Sequence, residues 1–250
     1  MAQSTVHRAQ DIQQNPNQSN PVPCALSPEL IITKTLDGSD TLFVPELNEH
    51  YHSTFGAVQE SRYVYIEQGL MAVDAMIDPV SVFEVGFGTG LNTLLTDLTA
   101  KAQRREVRYT AIELYPIERT ILESLNYTSF LSEPDANEKF MKIHEAPWEK
   151  AHQLNPHFRL TKLKADLRSF DTPESAFDVV YFDAFAPEVL PDLWTVGIFE
   201  KMFRMLRQEG ILVTYSCKGI VKQNMKEAGF SIKRLPGPPG KWEMLRARKK

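Results

Sequence analysis

A carboxylate and three glycines stand close together in a stretch that could bind a nucleotide-like ligand. Glu84 lies two residues before Gly86-Phe87-Gly88-Thr89-Gly90, with an apolar run before this stretch and a helix-like segment after it. A strand that turns through glycines into a helix lets the backbone approach such a ligand closely. Leu91 occupies the place of the third glycine in the dinucleotide fingerprint G-x-G-x-x-G, so the turn favours S-adenosylmethionine over NAD. Glu84 would be costly to bury without a donor, which the cationic end of the cofactor could supply.

Two further carboxylates follow predicted strands at places where such a cofactor needs hydrogen-bond acceptors. Glu113 ends the second strand after the start of the α/β pattern, where an acidic side chain can bind ribose hydroxyls. Asp166 follows the third strand and could accept a hydrogen bond from the adenine amino group. Each has a simpler alternative. Glu113 could be a solvated carboxylate at the start of a loop, and Asp166 could be a helix cap or turn residue.

The sharpest chemical pattern is a carboxylate, an aromatic ring and a proline directly after the fourth strand, in Asp183-Ala184-Phe185-Ala186-Pro187. Methyl transfer to an amine needs a neutral nitrogen whose lone pair is aligned with the methyl group. A carboxylate can orient that amine, accept its proton and stabilise the charge that develops. We therefore predict that Asp183 is catalytic and that Phe185 packs against the acceptor or the adenine. Alternatively, Asp183 caps the following segment and Phe185 belongs to the core.

Polar and aromatic residues interleave at unusual density upstream of the glycine turn. The stretch contains Tyr51-His52-Ser53-Thr54-Phe55-Gly56-Ala57 and then Glu60-Ser61-Arg62-Tyr63-Val64-Tyr65. These side chains could cover the cofactor or receive a base by stacking. His52 has no His or Cys partner at ligand spacing, so we expect no metal site. Taken alone, His52 is more simply interpreted as a surface or packing histidine.

Strands and helices alternate from residue 81 onwards, which predicts a largely parallel sheet covered on both faces. In such sheets ligands bind beyond the carboxyl ends of the strands, where the residues above lie. The predicted fold class is α/β, a Rossmann-like class I S-adenosylmethionine-dependent methyltransferase with a mostly parallel seven-stranded sheet and an antiparallel C-terminal edge strand. The predicted strands are 81–85, 107–112, 158–164, 179–182, 211–214, 230–234 and 242–246, and the predicted helices are 91–100, 117–125, 198–206 and 220–228.

Three regions are predicted along the chain. Residues 1–22 are rich in Gln, Asn, Ser and Pro and poor in large apolar side chains, so we expect a disordered tail. Residues 23–80 should form a small β-hairpin extension about Asp37-Gly38, followed by an active-site cover segment. Residues 81–250 should form the methyltransferase domain.

Composition predicts a globular protein with an uneven charge distribution. The 250 residues are 42% hydrophobic and 24% charged, without a membrane-length apolar run or a signal peptide, so we expect a cytoplasmic protein with no membrane contact. The two cysteines, Cys24 and Cys217, form no metal spacing and should be reduced thiols. Net charge is −4, yet residues 201–250 carry 13 basic and three acidic side chains. This basic region predicts phosphate binding, although a solvated surface would carry the same charges.

Six segments together resemble the MnmC/MnmD-type methyltransferases, which act on the wobble uridine of tRNA. The likeness runs in order and spacing from about residue 30 to the end. The combination of VGFGTGLN with FDAFAP and PDLW is highly specific. The segments are YHSTFGAVQESRYVYIEQGL (51–70), FEVGFGTGLN (83–92), IELYPI (112–117), YFDAFAPEVLPDLW (181–194), TYSCKGIVKQNMKEAGF (214–230) and GPPGKWEML (237–245).

The resemblance implies transfer of a methyl group from S-adenosylmethionine to the exocyclic amine of 5-aminomethyl-2-thiouridine at the tRNA wobble position. It implies tRNA, bound through its anticodon region, as the partner, and Asp183 as the residue that faces the amine. The implied cofactor-binding residues are Glu84, Gly86, Gly88, Gly90, Asn92, Glu113, Asp166 and Leu167. The implied substrate-binding residues are Tyr51, His52, Phe185, Pro187, Lys218, Lys222 and Lys241. Among these, Lys218 and Lys222 would meet tRNA phosphates together with the basic C-terminal strand.

Two departures from the family pattern bear on function. Many relatives fuse this domain to an FAD-dependent oxidase, whereas the sequence here encodes no such domain, so we expect a stand-alone methyltransferase that needs no flavin. Where relatives carry a more basic stretch, this chain reads Gly237-Pro238-Pro239-Gly240-Lys241-Trp242. Trp242 could stack on a base or simply pack.

Two alternatives remain open. A small-molecule amine methyl- or aminopropyltransferase of the spermidine-synthase kind would have a similar fold, hairpin, glycine turn and carboxylate after the fourth strand. It would need additional acidic residues for a polyamine and would gain nothing from the basic C-terminal quarter. A catalytically inactive cofactor-fold protein that binds tRNA or a partner is the other alternative, against which the intact Glu84, Glu113, Asp166 and Asp183 argue.

Overall fold

The structure, a computed structural model, describes residues 29–250 of the chain. The predicted tail at residues 1–22 and Cys24 lie outside the described residues, as do the first residues of the predicted region 23–80. Within the described range, a small N-terminal sheet adjoins a larger central sheet that is flanked by helices.

The N-terminal sheet has three antiparallel strands rather than the two of the predicted hairpin. β1 (Ile31–Lys34) and β2 (Asp40–Val44) pair across the turn, and the short β3 (Glu49–His50) extends the sheet beside β2. Asn126 joins this sheet to the rest of the protein, because its side-chain oxygen accepts from Asp40 N at 2.7 Å and its own N–H donates to Asp40 Oδ2 at 2.9 Å. The chain leaving β3 is thereby held against the central domain.

The segment predicted as a cover is helical. The short helix α1 (Ala57–Ser61) continues directly into a π-helical stretch, Arg62–Glu67, in which Val64, Tyr65 and Ile66 are buried. π-helical turns widen the helix and re-aim its side chains, and they recur at functional sites. The segment therefore packs into the domain with one side and lines a cleft with its start.

The central sheet contains eight strands, one more than predicted. The strands are β4 (Val80–Val85), β5 (Val107–Glu113), β6 (His152–Asn155), β7 (Phe158–Lys164), β8 (Phe177–Phe182), β9 (Leu206–Thr214), β10 (Ser231–Pro236) and β11 (Glu243–Arg248). Their spatial order is β10-β11-β9-β8-β4-β5-β7-β6. β4, β5, β7, β8 and β9 run parallel, which confirms the predicted fold class, and β4 and β8 are buried at every position.

The observed sheet differs from the predicted one in its additional strand and in the order of its C-terminal strands. Three of the four residues of β6 are polar, and the strand pairs antiparallel with β7. Its one apolar residue, Leu154, forms no alternating pattern that would indicate a strand. β11 is antiparallel as expected, but it inserts between β9 and β10, which leaves β10 at the edge.

Five helices connect these strands. They are α2 (Leu91–Gln103), α3 (Arg119–Leu122), α4 (Ala136–Glu145), α5 (Val196–Met205) and α6 (Gly219–Glu227). α3 is much shorter than the predicted 117–125. α4 was not predicted, although Ala136, Phe140 and Ile143 bury one helical face within its charged sequence.

Two apolar clusters cover opposite faces of the sheet. One includes Val82, Leu94 and Tyr181, and the other includes Phe83, Phe182 and Phe199. Alternate residues of a strand point to opposite faces, and β4 and β8 accordingly contribute to both clusters. The rigid strands bring their carboxyl ends, with the predicted site residues, to one edge.

Candidate active site

A cleft of about 1540 Å³ opens beyond the carboxyl ends of β4, β5, β7 and β8. Ligands of open α/β sheets bind at this edge. The cleft brings together residues from the N-terminal segment, the glycine turn, the three loops after β5, β7 and β8, and the loop between β10 and β11. The predicted site residues that line it are Tyr51, His52, Gly86, Gly88, Glu113, Asp166, Leu167, Asp183, Phe185 and Lys241.

The glycine turn lies against neighbouring atoms so closely that side chains would not fit. Gly86 has φ +86°, and a β-carbon there would lie 2.7 Å from the carbonyl oxygen of Asp183. Gly90 has φ +74°, and its β-carbon would lie 2.9 Å from the ring of His144. Both positions need glycine for backbone conformation and for close approach. The turn consequently presents bare backbone to the cleft.

Glu113 connects the end of β5 to the glycine turn. Gly88 N donates to its Oε2 at 3.1 Å, and Tyr115 N donates to its Oε1 at 2.9 Å. Burial raises the pKa of Glu113, and these backbone donors oppose that rise. Each oxygen retains acceptor capacity. This geometry is compatible with the predicted binding of ribose hydroxyls.

Asp166 occupies a turn at the cleft wall. Its carboxylate accepts from the Arg168 guanidinium, with a shortest distance of 2.6 Å, and from Arg168 N at 2.9 Å. The Arg168 hydrogen bonds hold the pKa of Asp166 below its usual value. The turn role that the sequence left open is therefore present, and contact with an adenine amino group stays a prediction.

Glu84 lies beneath the glycine turn, outside the cleft wall, and is fully buried. Thr93 Oγ1 donates to its Oε2 at 3.2 Å, while Oε1 has no hydrogen-bond partner within residues 29–250. Burial raises the pKa of Glu84 well above its usual value. The side chains of Asn92, Tyr109 and Thr93 oppose this rise. Since Glu84 does not line the cleft, its contact with the cationic end of S-adenosylmethionine stays a prediction.

Asp183 is held by two donors directly after β8. The Tyr65 hydroxyl donates to Oδ1 at 2.5 Å, and Asn92 Nδ2 donates to Oδ2 at 2.8 Å. Burial raises the pKa of Asp183 to about 7, and the two hydrogen bonds oppose that rise. A carboxyl group with this pKa exchanges protons readily near neutral pH. Asn92, predicted to border the cofactor, thus contacts the predicted catalytic residue.

Two aromatic rings stand beside this carboxylate. The rings of Tyr51 and Phe185 meet edge to face, with centroids 5.0 Å apart and an interplanar angle of 75°. Both residues are half-buried and line the cleft, so Phe185 is not a core residue. Since the two rings already touch, a planar ring that enters the cleft would contact their outer surfaces and not the space between them.

His52 packs between the N-terminal sheet and the glycine turn. Its Nδ1 lies 3.4 Å from Thr41 Oγ1, and its Nε2 lies 3.5 Å from Thr89 Oγ1. Burial lowers the pKa of His52 to about 4, so the imidazole is neutral at pH 7. The packing role that the sequence left open accounts for this geometry.

Lys241 closes one side of the cleft mouth. Its ammonium forms an ion pair with Glu60 and lies 3.9 Å from the centre of the Tyr215 ring. Glu60 is buried and also accepts from Ser53 N at 2.8 Å. Lys241 is therefore engaged by the protein, with its stem along the cleft.

The remaining predicted substrate residues lie outside the cleft. Pro187 is buried behind the wall, and Lys218, directly before α6, pairs with the cleft residue Glu188. Lys222 lies one helical turn further along α6.

Sequence reasoning missed Tyr65, Glu60 and Tyr215 as members of the site. Tyr65 belongs to the dense polar and aromatic stretch, but spacing does not show which of its tyrosines turns inward. The π-helical turn in the folded protein shows that it is Tyr65. Tyr215 donates to the carbonyl of Ala184 at 2.9 Å and so supports the loop that carries Asp183.

The cleft is acidic. Ten acidic and three basic residues line it. This balance favours a cationic group such as an amine and disfavours a phosphate inside the cleft. A nucleic acid would have to keep its backbone at the rim.

None of the helices in the described part of the chain is long and apolar enough to cross a membrane. Among residues 29–250, no group of three or more His, Cys, Asp or Glu side chains is arranged to hold a metal ion.

Comparisons with known proteins show which family and fold the chain resembles. Residues 135–250 match a family model described as S-adenosyl-L-methionine-dependent methyltransferase. A crystal structure of MnmC2 from Aquifex aeolicus superposes with a TM-score of 0.75 at 22% identity, covering 92% of this chain and 72% of that one. The superposition confirms the predicted fold, and the family match confirms the prediction of a methyltransferase that uses S-adenosylmethionine.

Curated proteins with similar sequences bear on the predicted resemblance to the MnmC type. The chain is 30% identical over 235 residues to the "tRNA 5-methylaminomethyl-2-thiouridine biosynthesis bifunctional protein MnmC" of Burkholderia vietnamiensis, covering 87% of this chain and 35% of the relative. The protein of the same name from Pseudomonas savastanoi is 30% identical over 213 residues, covering 80% of this chain and 32% of the relative. The chain thus spans about a third of the length of the curated relatives that it matches. The resemblance to the MnmC type is confirmed.

Replacing Gly86 with alanine should weaken S-adenosylhomocysteine binding about tenfold or more. A β-carbon at this left-handed position adds backbone strain and collides with the Asp183 carbonyl, which displaces the turn. Calorimetric titration measures the affinity. Gly197→Ala is the matched control, because nothing lies within 4 Å of that β-carbon. Equal affinities for both variants and the unaltered protein would show that the turn does not bind the cofactor.

Proposed function

We propose that the protein is an N-methyltransferase that converts wobble 5-aminomethyl-2-thiouridine in tRNA to 5-methylaminomethyl-2-thiouridine. The observation that carries the proposal is Asp183, whose pKa lies near 7 and whose two oxygens are held by Tyr65 and Asn92 in an acidic, ring-lined cleft. The names of the curated relatives support the nucleoside, since they specify biosynthesis of this product.

S-adenosylmethionine, when bound, supplies an electrophilic methyl group. The residues that would hold it are Gly86 and Gly88 through their backbone, Glu113 at the ribose, and Asp166 with Leu167 at the adenine. Glu84 and Asn92 would border its cationic end. These assignments rest on the positions of the residues at the carboxyl edge of the sheet.

Asp183 prepares the amine and takes up its proton. A primary amine is mostly protonated at neutral pH and has no lone pair to donate in that form. The carboxylate of Asp183 binds the ammonium, accepts one proton and leaves a neutral nitrogen. Asp183 releases this proton to solvent through the cleft. The regenerated carboxylate then stabilises the methylated nitrogen, which is cationic again, while the sulfur that gave up the methyl group leaves as a neutral thioether.

The surrounding residues position the nucleoside. Tyr65 and Asn92 fix the carboxylate, because each donates to a different oxygen. Tyr51 and Phe185 contact the substrate base with their outer surfaces, and the N-terminal sheet with the following helical segment covers the site. In this proposal residues 29–80 act as the cover and residues 81–250 as the methyltransferase domain.

The tRNA backbone stays outside the acidic cleft. Lys218 and Lys222 on and next to α6, and the basic side chains of β10 and β11, lie around the sheet edge that carries the last strands. We propose that they contact phosphates of the anticodon region while the wobble nucleotide alone enters the cleft.

The acidic lining is also what a small-amine transferase would need, so this alternative requires a direct test. Purified protein is incubated with labelled S-adenosylmethionine and two tRNA pools. One pool carries 5-aminomethyl-2-thiouridine and the other an unmodified wobble uridine, and nucleoside mass spectrometry is the readout. We expect one methyl group on the aminomethyl nucleoside alone. If protein that binds the cofactor modifies neither pool, the small-amine alternative replaces the proposal.

Asp183→Asn should lower kcat by about 10²–10⁴-fold and leave S-adenosylhomocysteine affinity nearly unchanged. The amide keeps the volume of the side chain but cannot accept the proton. Asp192→Asn is the matched control, because Asp192 also lines the cleft but is largely exposed. Normal turnover by Asp183→Asn would exclude Asp183 as the base.

The pH dependence of kcat should show an acid limb near pH 7, with activity rising as Asp183 ionises. The Tyr65 hydrogen bond lowers the pKa of Asp183, so Tyr65→Phe should move this limb to higher pH. Tyr63→Phe, which loses only a hydroxyl bonded to the Pro236 carbonyl, should leave the limb in place. An identical limb in both variants would contradict the role of Tyr65.

A further inference from the structure

Trp242, at the end of the loop between β10 and β11, is 96% exposed. We infer that its ring is the stacking platform for an unpaired nucleobase that neighbours the target nucleotide. This inference rests on the proposed function and specifies how the protein holds the RNA around the nucleotide that reacts.

The exposure of Trp242 is unusual for a tryptophan of this chain. Trp194 is 2% exposed within an aromatic cluster, and Trp148 packs against Phe87 and Lys162. Within residues 29–250, no aromatic ring or cation is stacked on Trp242. Both faces of a large apolar ring are therefore free to bind a planar partner, and packing, which the sequence left as an alternative, is excluded for the described residues.

Hydrogen bonds order the backbone of the loop that carries this ring. Gly237 N donates to the carbonyl of Trp242 at 3.0 Å, and Lys241 N donates to the carbonyl of Pro238 at 2.9 Å. Prolines restrict the loop further, because their φ angles are fixed. Because the backbone is already ordered, stacking of a base costs mainly the rotamer freedom of the Trp242 side chain.

The same loop is part of the cleft mouth. Gly240 and Lys241 line the cleft, and Trp242 is the next residue. The ring of Phe55 lies directly against Gly240, and the hydroxyl of Tyr63 donates to the carbonyl of Pro236 at 3.0 Å. A nucleotide inserted in the cleft therefore has a neighbour within reach of Trp242.

Basic side chains on the two strands that carry the loop favour RNA over a protein or a second copy of the chain. The charged neighbours of Trp242 in the sequence, Lys241 and Glu243, are paired with Glu60 and Arg234. Lys233 and Arg246 are paired in register on β10 and β11, and Lys233 is exposed. Proteins that hold single-stranded nucleic acid combine basic side chains, which follow the backbone, with aromatic rings, on which bases stack. Trp242 supplies the ring, and the two strands that carry its loop supply the charge.

A thermodynamic cycle between protein and RNA tests the inference. Binding of an anticodon stem-loop is measured by fluorescence anisotropy for the unaltered protein, Trp242→Ala and Trp242→Phe. The RNA carries either its natural bases or an abasic site placed in turn on each side of the wobble nucleotide. We expect Trp242→Ala to weaken binding of the intact RNA about 5- to 100-fold, and Trp242→Phe to restore much of it.

Non-additive effects of Trp242→Ala and of an abasic site in the RNA would identify stacking between the ring and that base. An abasic site next to the wobble nucleotide should weaken binding of the unaltered protein but add little to the loss in Trp242→Ala. The slope of log affinity against log salt should stay unchanged in Trp242→Ala, since no phosphate contact is lost, whereas Lys222→Ala should flatten it. Met76→Ala is the control for an exposed apolar side chain. Met76 is 88% exposed and precedes β4, so it lies near the amino-terminal end of that strand, whereas the cleft lies beyond the carboxyl end.

Two outcomes would overturn the inference alone. One is methyl transfer to tRNA by the unaltered protein together with unchanged RNA binding by Trp242→Ala, and the other is an affinity loss equal for intact and abasic RNA. A change in oligomeric state caused by Trp242→Ala, without an effect on RNA binding, would assign the ring to an interface between copies. Failure of the unaltered protein to bind any RNA would overturn the proposed function as well, so the two failures are distinguishable.

Discussion

The chain segments that follow β4 and β8 lie in direct contact, and the whole site depends on that contact. Asp183 N donates to the carbonyl of Val85 at 3.0 Å, which continues the pairing of the two strands by one residue. Gly86 then lies against the carbonyl of Asp183, with no room for a side chain. The glycine backbone, which we propose faces the cofactor, and the carboxylate, which we propose faces the substrate, are consequently fixed relative to each other. Methyl transfer demands such a fixed relation, since the reacting atoms must be aligned before the reaction starts.

Three separate parts of the chain set the pKa of the Asp183 carboxyl group. β8 delivers it to a poorly solvated place, the π-helical stretch contributes the Tyr65 hydroxyl, and α2 contributes the Asn92 amide. Desolvation raises the pKa of Asp183 and the hydrogen bonds lower it, and the balance leaves this pKa at about 7. Glu60 raises this pKa further and Lys241 lowers it, so their ion pair keeps either charge from dominating at Asp183.

The sequence predicted the parts of the site whose signals are local. Buried parallel strands are continuous apolar runs, and a glycine turn or a carboxylate at the end of such a run has a known position in the fold. Glu113, Asp166 and Asp183 could therefore be placed at one edge. Tyr65 could not be identified, because its partner is 118 residues away and a helical turn of unusual width directs it there. β6 and the pairing of Lys218 with Glu188 were equally hidden, since polar side chains acquire their partners only in the folded chain.

The cleft mouth joins parts of the polypeptide that are far apart in sequence. Phe55, Glu60 and Tyr63 contact Gly240, Lys241 and Pro236, so the two groups form one wall. During synthesis on the ribosome, the first group emerges long before the second. The glycine turn and Asp183 are both synthesised before this wall can form, because residues 236–241 follow every other segment of the cleft. A nascent chain therefore has an open cleft until β10 and β11 have left the exit tunnel, and the substrate pocket is among the last parts of the protein to be completed.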